Sequence, residues 1–382
     1  MLSCGYSDSG QRTNLALILV CACILAACKS DEKGLVTQSQ VQSPVSDQVL
    51  KYPDKAPMEV PDNMVWIPGQ VFSMGARPQD NMAMNHEGPP HEVGVDGFFI
   101  DIHEVTNAEF SRFVSETGYR TIAEREVVWE DFKDQLPPGT QKPADSLLQP
   151  GSLTFKKTRS SVPNLYDYSQ WWNWTIGANW KHPQGPGSTI EGKDDHPVVH
   201  IALKDALAYC KWAGRRLPTE AEWELAARGH HQESVHSWGD DVAVLKDYAN
   251  TWEGEFPVQN TRADGYESTA PVGSFKPNDY GLFDMAGNVW EWTSDWYHTN
   301  YFNAQKEAST TPYNPGGAPE PYNPTNPLAQ EKVIKGGSYL CSASYCASYR
   351  VSARMATTID SSLEHLGFRT VATPEMLANK SK

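Results

Sequence analysis

The sequence predicts a mixed α+β domain in which short strands and a few capped helices are set in a large amount of irregular backbone. Three observations carry this expectation. The chain has 28 Gly and 27 Pro in 382 residues, so turns are frequent and long elements few. Its 13 Trp and 16 Tyr supply large side chains that can pin irregular segments to a core. Apolar residues recur at helical spacing only in short windows, each closed by Gly. An apolar content of 39% is enough for a sizeable core in one large domain or two ordinary ones. With 32 Lys and Arg against 47 Asp and Glu, the formal charge of −15 argues against binding nucleic acid or docking on anionic lipid through basic patches. A cationic substrate segment suits it better.

In chain order, Arg12 precedes an apolar run from Leu15 to Ala27, too short to span a bilayer and proportioned like the hydrophobic part of a signal peptide. The run ends in Leu25, Ala26, Ala27 and Cys28, which resembles the lipobox of bacterial lipoproteins. Residues 1–28 then form a lipoprotein signal peptide, and Cys28 becomes the acylated N-terminus that anchors the chain through several acyl groups. An ordinary cleaved signal with a coincidental Cys is the plainer alternative. The expected location is the cell envelope after export, with Lys29 pointing to the outer membrane of a Gram-negative host. Residues 29–62, rich in Gln, Ser, Val and Pro, read as a polar tether, and 63–375 as the folded domain.

The domain opens with MVWIPGQVFSMG from Met64, a strand and turn, and a second apolar run follows from Val93 to Ile102. Thr106 and Glu109 form a capping box for a helix carrying Phe110, Phe113 and Val114, which Gly118 ends. From Tyr119 to Asp194 the pattern dissolves into sequence rich in Pro, Gly and Trp, either a wall of a substrate groove or a structural loop pinned by aromatics. Ala206, Tyr209, Cys210 and Ala213 share a helical face ended by Gly214, so Cys210 reads as a buried structural thiol. Thr219 and Glu222 cap a third helix, which Gly229 closes.

Two later stretches offer hard oxygen donors beside turns. Asn250 and Asp264 flank one; Asp284, Gly287, Val289 and Glu291 lie in the other. Calcium takes such mixed sets of carboxylate, amide and carbonyl oxygens, while on sequence alone the same residues equally make Asx-turns. Trp290 within GNVWEW reads most simply as a core aromatic.

Cys341 and Cys346 stand five residues apart in a chain that otherwise hardly uses cysteine. Such a pair suits a disulfide, the plainest reading in an exported protein, or a low-coordinate Cu(I) site, or a redox couple working through a mixed disulfide. Spacing does not choose among them.

The surrounding residues do. Gly336, Gly337, Ser338, Tyr339, Leu340, Cys341, Ser344, Tyr345, Cys346, Tyr349 and Arg350, then Ala353, Arg354 and Leu366 to Arg369, resemble the tail of the formylglycine-generating enzymes, the sulfatase-modifying factors. The resemblance runs from about Met64 to Ala372 and implies their irregular α+β fold, akin to C-type lectins. It also implies an oxidase that converts the Cys of a C-x-P-x-R motif in an unfolded sulfatase polypeptide to Cα-formylglycine, consuming O2 and a thiol reductant. By the same resemblance Cys341 and Cys346 hold Cu(I), and Ser338 and Trp290 shape the oxygen pocket. Hydrogen abstraction from the substrate Cβ then gives a thioaldehyde that hydrolyses. Structural Ca2+ is implied at Asn250, Thr251, Asp264 and Tyr266, and at Asp284, Gly287, Val289 and Glu291. Thr251, Tyr266, Gly287 and Val289 contribute only carbonyls to these sets. Tyr345, Tyr349 and Arg350 are expected to order the cysteine loop.

This chain departs from the family pattern in two ways. Ser342 stands where many relatives have His, and Ala227, Val351 and Thr370 stand near positions that carry disulfide cysteines in several eukaryotic relatives. Two other functions compete with the oxidase. A non-catalytic lipoprotein of the same fold would act as a surface scaffold, against which the cysteine pair speaks. An oxygenase of small thiols would carry iron on a His-based facial set, and no sequence-local His and carboxylate grouping supports it.

Overall fold

The computed structural model describes residues 49–380 apart from Tyr166. Cys28, the signal peptide over 1–28 and most of the expected tether lie outside the described residues. Within the tether's last part, Gly69 N–H donates to the Tyr52 carbonyl at 3.0 Å and Gly97 N–H to the Lys51 carbonyl at 2.9 Å, so the chain is already packed on the domain there. Among the described residues no helix is long and apolar enough to cross a membrane.

The strands are β1 (Met64–Ile67), β2 (Gln70–Met74), β3 (His91–Val95), β4 (Phe98–Asp101), β5 (Gly151–Phe155), β6 (Trp172–Ile176), β7 (Trp290–Trp296), β8 (Glu331–Lys335), β9 (Met355–Thr358), β10 (Leu366–Gly367) and β11 (Val371–Ala372). The helices are α1 (Asn107–Thr117), α2 (Trp129–Phe132), α3 (Leu203–Ala213), α4 (Glu220–Arg228), α5 (Leu245–Tyr248), α6 (Tyr301–Glu307) and α7 (Pro374–Lys380). Four strands order as β10-β7-β8-β9, three as β1-β4-β11, and β2-β3 and β5-β6 form separate ribbons. Only the β10–β7 pairing is parallel among those of the four-stranded sheet.

The three helices expected from capping and from apolar periodicity are present. Thr106 Oγ1 accepts the Glu109 N–H at 3.2 Å while the Glu109 carboxylate accepts the Thr106 N–H at 2.9 Å. Thr219 and Glu222 repeat the arrangement at 3.1 and 2.8 Å. Each cap contributes about 1 kcal/mol. Gly118 and Gly214 close α1 and α3 at φ of 67° each, a left-handed conformation that suits Gly.

The apolar run Val93 to Ile102 is not one strand but parts of β3 and β4, which pair in different sheets. The break falls at Gly97, where a Cβ would lie 2.3 Å from Trp66 Cζ2. MVWIPGQVFSMG likewise divides into β1 and β2. Within the irregular stretch from Tyr119 to Asp194, β5 and β6 form a register-matched antiparallel ribbon, Gly151 opposite Ile176 and Phe155 opposite Trp172.

One core cluster gathers Phe110, Phe113, Tyr209, Trp292 and Phe368 between α1, α3 and the β7 sheet, and Cys210 sits in it as a free thiol. Burial pushes that thiol's pKa far up, consistent with an inert packing role. A second cluster joins Phe72, Val93, Trp223 and Phe302, with Ala227 and Val351 in it as plain apolar residues. A third is aromatic: Trp171, Trp252, Phe256 and Tyr339, with Tyr345 packed against it. This third cluster supports the cysteine loop.

Candidate active site

The loop after β8 is shaped by its main chain. Gly336 and Gly337 take φ of 91° and 76°, and a Cβ on Gly337 would stand 2.8 Å from the Ser348 carbonyl carbon and oxygen. Only Gly permits the two limbs of the loop to approach this closely. The Cys341 N–H donates to the Ser338 carbonyl at 2.8 Å. The Ser342 carbonyl accepts the N–H groups of Tyr345, Cys346 and Ala347 at 3.2, 3.1 and 2.9 Å, folding the five-residue spacing into one tight turn. Arg350 holds the far limb: its Nε donates to the Ala347 carbonyl at 2.9 Å, and its Nη atoms donate to Glu87 at 2.6 and 2.8 Å and to Asp80 at 2.7 Å.

Cys341 and Cys346 are free thiols in side-chain hydrogen-bond contact. Cys341 is buried, 2% exposed, whereas Cys346 is half-buried. Burial pushes the Cys341 pKa well up, and the neighbouring Cys346 adds to the effect. At Cys346 burial also pushes upward, but the hydrogen bonds from Cys341 and Ser348 outweigh it and the pKa falls below the ordinary thiol value. Cys346 is therefore the more acidic thiol of the pair, and Cys341 donates its hydrogen to it.

Beside the loop lies a cavity of about 220 Å³ lined by Leu245, Trp252, Glu253, Ser342, Ser344 and Tyr349. Tyr345 stacks on Phe256, ring centroids 4.6 Å apart, and meets Trp171 edge-on at 5.7 Å. Trp290 is 5% exposed and shares the first core cluster with Cys341, and Ser338 is fully buried. Ser342 is buried as well, its hydroxyl 3.1 Å from that of Ser344.

The two thiols, soft donors in contact, fit a low-coordinate Cu(I). The oxygen-rich positions fit a hard cation in part. Asn250 Oδ1 and Thr251 Oγ1 are buried without partners, and Asp264 Oδ2 accepts the Thr251 N–H at 2.8 Å. In the second set Asp284 Oδ1 is buried and free. Glu291 is otherwise engaged: its carboxylate accepts Arg369 Nε and Nη2 at 2.7 Å each and Trp223 Nε1 at 2.8 Å. Among the described residues no three His, Cys, Asp or Glu side chains gather so as to hold an ion by themselves. Every candidate site therefore relies on carbonyls or on an incoming substrate, and no His-based facial set is assembled among them.

Residues 50–374 match the sulfatase-modifying factor enzyme 1-like domain. The chain belongs to this family. It is 43% identical to a formylglycine-generating enzyme of Bos taurus over 82% of this chain and 75% of that protein. Identity to a formylglycine-generating enzyme of Thermomonospora curvata is 42%, over 84% and 97%. It is also 38% identical to an inactive Cα-formylglycine-generating enzyme 2 of Bos taurus over 80% and 87%, so likeness along the chain does not by itself separate active members from inactive ones. The structure of PvdO from Pseudomonas aeruginosa shares the fold, with a TM-score of 0.53 and 23% identity over 81% of this chain and 93% of that one.

Sequence reasoning picked out both thiols, Ser338 and Trp290 for one neighbourhood, but missed Trp252 and Glu253. Trp252 and Glu253 directly follow Asn250 and Thr251, a proximity that marks them only once the loop is seen beside the cavity.

Proposed function

We propose that this chain is a formylglycine-generating oxidase that converts the Cys of a C-x-P-x-R segment in an unfolded sulfatase to Cα-formylglycine, using O2 and a thiol reductant. The observation that carries the reading is the contact between Cys341 and Cys346 in a rigid loop beside an open cavity. Cys341 and Cys346 would hold Cu(I), which when bound supplies the thiolate affinity and the electron chemistry with O2 that protein side chains lack.

The chain's own groups do the rest. Cys346, the less buried and lower-pKa thiol, would meet the arriving substrate, with Cys341 the more buried partner. Ser338 and Trp290, both buried, shape a dry oxygen pocket. Tyr345, Phe256 and Trp171 form an aromatic bed under the loop, and Glu253 gives the cavity an acidic wall suited to a cationic peptide. The carbonyls and free oxygens around Asn250, Thr251, Asp264 and Tyr266, and around Asp284, Gly287 and Val289, would hold structural Ca2+. Lipid on Cys28 would anchor the enzyme in the envelope, where an exported sulfatase must meet it before folding.

The test is to load the protein with Cu(I), add O2, a reductant and a C-x-P-x-R peptide, and follow the peptide thiol by mass spectrometry. Conversion to the aldehyde supports the oxidase. A folded, copper-loaded protein that leaves the thiol unchanged would favour the scaffold reading, with the pair as a disulfide.

A further inference from the structure

The segment between β2 and β3 contains a loop, Asp80 to Glu87, whose two ends are gripped by one guanidinium. Arg350 Nη1 donates to Asp80 Oδ2 at 2.7 Å, and Nη1 and Nη2 donate to Glu87 at 2.6 and 2.8 Å. Arg350 Nε holds the Ala347 carbonyl, one residue past Cys346. A single buried side chain thus buckles this loop to the thiol pair. Asp80 also bends the chain: its Oδ1 accepts the Met82 N–H at 3.0 Å and its carbonyl the Ala83 N–H at 3.3 Å. The Met84 carbonyl accepts the Glu87 N–H at 2.9 Å. At the tip stand Met82 and Met84, 50% and 38% exposed, and no other Met among the described residues is exposed. Two residues of chain, at most about 7 Å, separate Met82 from the Asp80 anchor, so the tip stays near the cysteine loop.

A single exposed Met is ordinary surface. Two thioethers one residue apart, on a loop pinned at both ends and tied to thiols that fit Cu(I), offer a metal-ligand chemistry. Thioethers are soft donors that select Cu(I), and they carry no proton for the ion to displace. Each Met side chain has three rotatable bonds, so both sulfurs can close on one ion. His86 is engaged elsewhere: its Nε2 lies 3.1 Å from the Arg354 carbonyl and its ring meets Tyr297 edge-on at 5.6 Å.

We propose that Met82 and Met84 form a weak Cu(I) docking site that takes the ion from a sulfur-rich copper carrier and hands it to Cys341 and Cys346. Two thioethers leave the ion short of donors, so a carrier sulfur completes the set during exchange. Copper stays Cu(I) throughout. Each bond to a carrier sulfur is replaced by one to a thioether and then by one to a cysteine sulfur, whose proton passes to solvent. The inference rests on the copper reading of the thiol pair and adds how the ion arrives.

The full chain is titrated with Cu(I) in the absence of oxygen against a chromophoric Cu(I) chelator, beside Met82→Leu/Met84→Leu and Cys341→Ser/Cys346→Ser. Leu matches Met in volume, and an unchanged copper-free Tm shows that the fold is kept. The unmodified chain should hold one ion tightly and one weakly, M82L/M84L only the tight one, and C341S/C346S only the weak one. Copper is then supplied from the chelator at one equivalent, and loading is followed as protection of the thiols from alkylation. M82L/M84L should reach the same final protection but about 10-fold more slowly, the effect usual for loss of a side chain that assists a metal site. An unchanged copper count in M82L/M84L, or an unchanged loading rate, overturns the proposal. An unchanged count in C341S/C346S sinks the copper reading of the thiols and the hand-over with it, a failure that the count in M82L/M84L tells apart. If M82L/M84L fails to fold, crystals of the unmodified protein soaked in Ag+, a redox-stable stand-in for Cu(I), decide. An anomalous peak between the two Sδ atoms supports the site, and a map without one contradicts it.

Discussion

The Trp252 main-chain N–H donates to the Cys341 carbonyl at 3.0 Å, tying the cysteine loop to the segment that carries Asn250, Thr251 and Asp264. The candidate redox pair and the first candidate calcium site therefore share a backbone strut. Removal of Ca2+ with a chelator is expected to lower Tm by about 5 °C or more, as a bound ion saturated far above its Kd adds about 3 kcal/mol. It is also expected to speed alkylation of Cys341, which the fold buries. Unchanged Tm and unchanged labelling would show that the strut carries no such coupling.

Gly337 provides a steric test of the same loop. Gly337→Ala places a methyl 2.8 Å from Ser348 main-chain atoms at a φ of 76°, and neither limb can yield without breaking the turn. The expected cost is about 2–4 kcal/mol in urea unfolding. Gly118→Ala, at a φ of 67° with nothing within 4 Å, should cost only about 1 kcal/mol.

Arg350 is paired with Glu87 and Asp80, and the three side chains are each 2% exposed or less. Arg350→Ala would leave two buried carboxylates uncompensated, and a loss of about 3–5 kcal/mol is expected. Because Arg350 also holds the Ala347 carbonyl, the variant should lose aldehyde formation even where it stays folded. Arg350→Lys keeps the charge but not the fork, and should recover stability only in part.

Asp295 sets a pH dependence. Burial, and next the charge of Glu220, raise its pKa from 3.8 to about 7. The folded state thus keeps a proton that the unfolded chain releases near pH 4. The stability this brings is complete below that pH and is lost as pH rises through about 7. Asp295→Asn, which can still accept the Glu220 N–H, should remove that loss, so its stability relative to the unmodified chain should improve between pH 5 and pH 8 by more than about 1 kcal/mol. Parallel pH profiles of the two proteins would contradict the assignment.

The helices and the thiol pair were legible because their signals are local. Thr106 with Glu109, Thr219 with Glu222, and Cys341 with Cys346 all lie within five residues of one another. The break at Gly97 was not, because Trp66 and the Tyr52 carbonyl that forbid a side chain there arrive from elsewhere in the chain. The buried charges around Asp284 were legible only in part. Arg369 takes up Glu291 from 78 residues away, and Glu104 meets Asn288 across 184. Long-range charge compensation leaves no mark in a window of sequence. The aromatic bed was visible as composition, many Trp and Tyr, but not as a place.

The measurement that bears most directly on the whole account is aldehyde formation on a C-x-P-x-R peptide by the Cu(I)-loaded protein beside Cys341→Ser and Cys346→Ser. Loss of the peptide thiol with gain of the aldehyde hydrate in the unmodified protein, and a fall of at least about 100-fold in both variants with the fold intact, is the expected result. Conversion that survives either serine substitution, or no conversion by any of the three proteins, would contradict it.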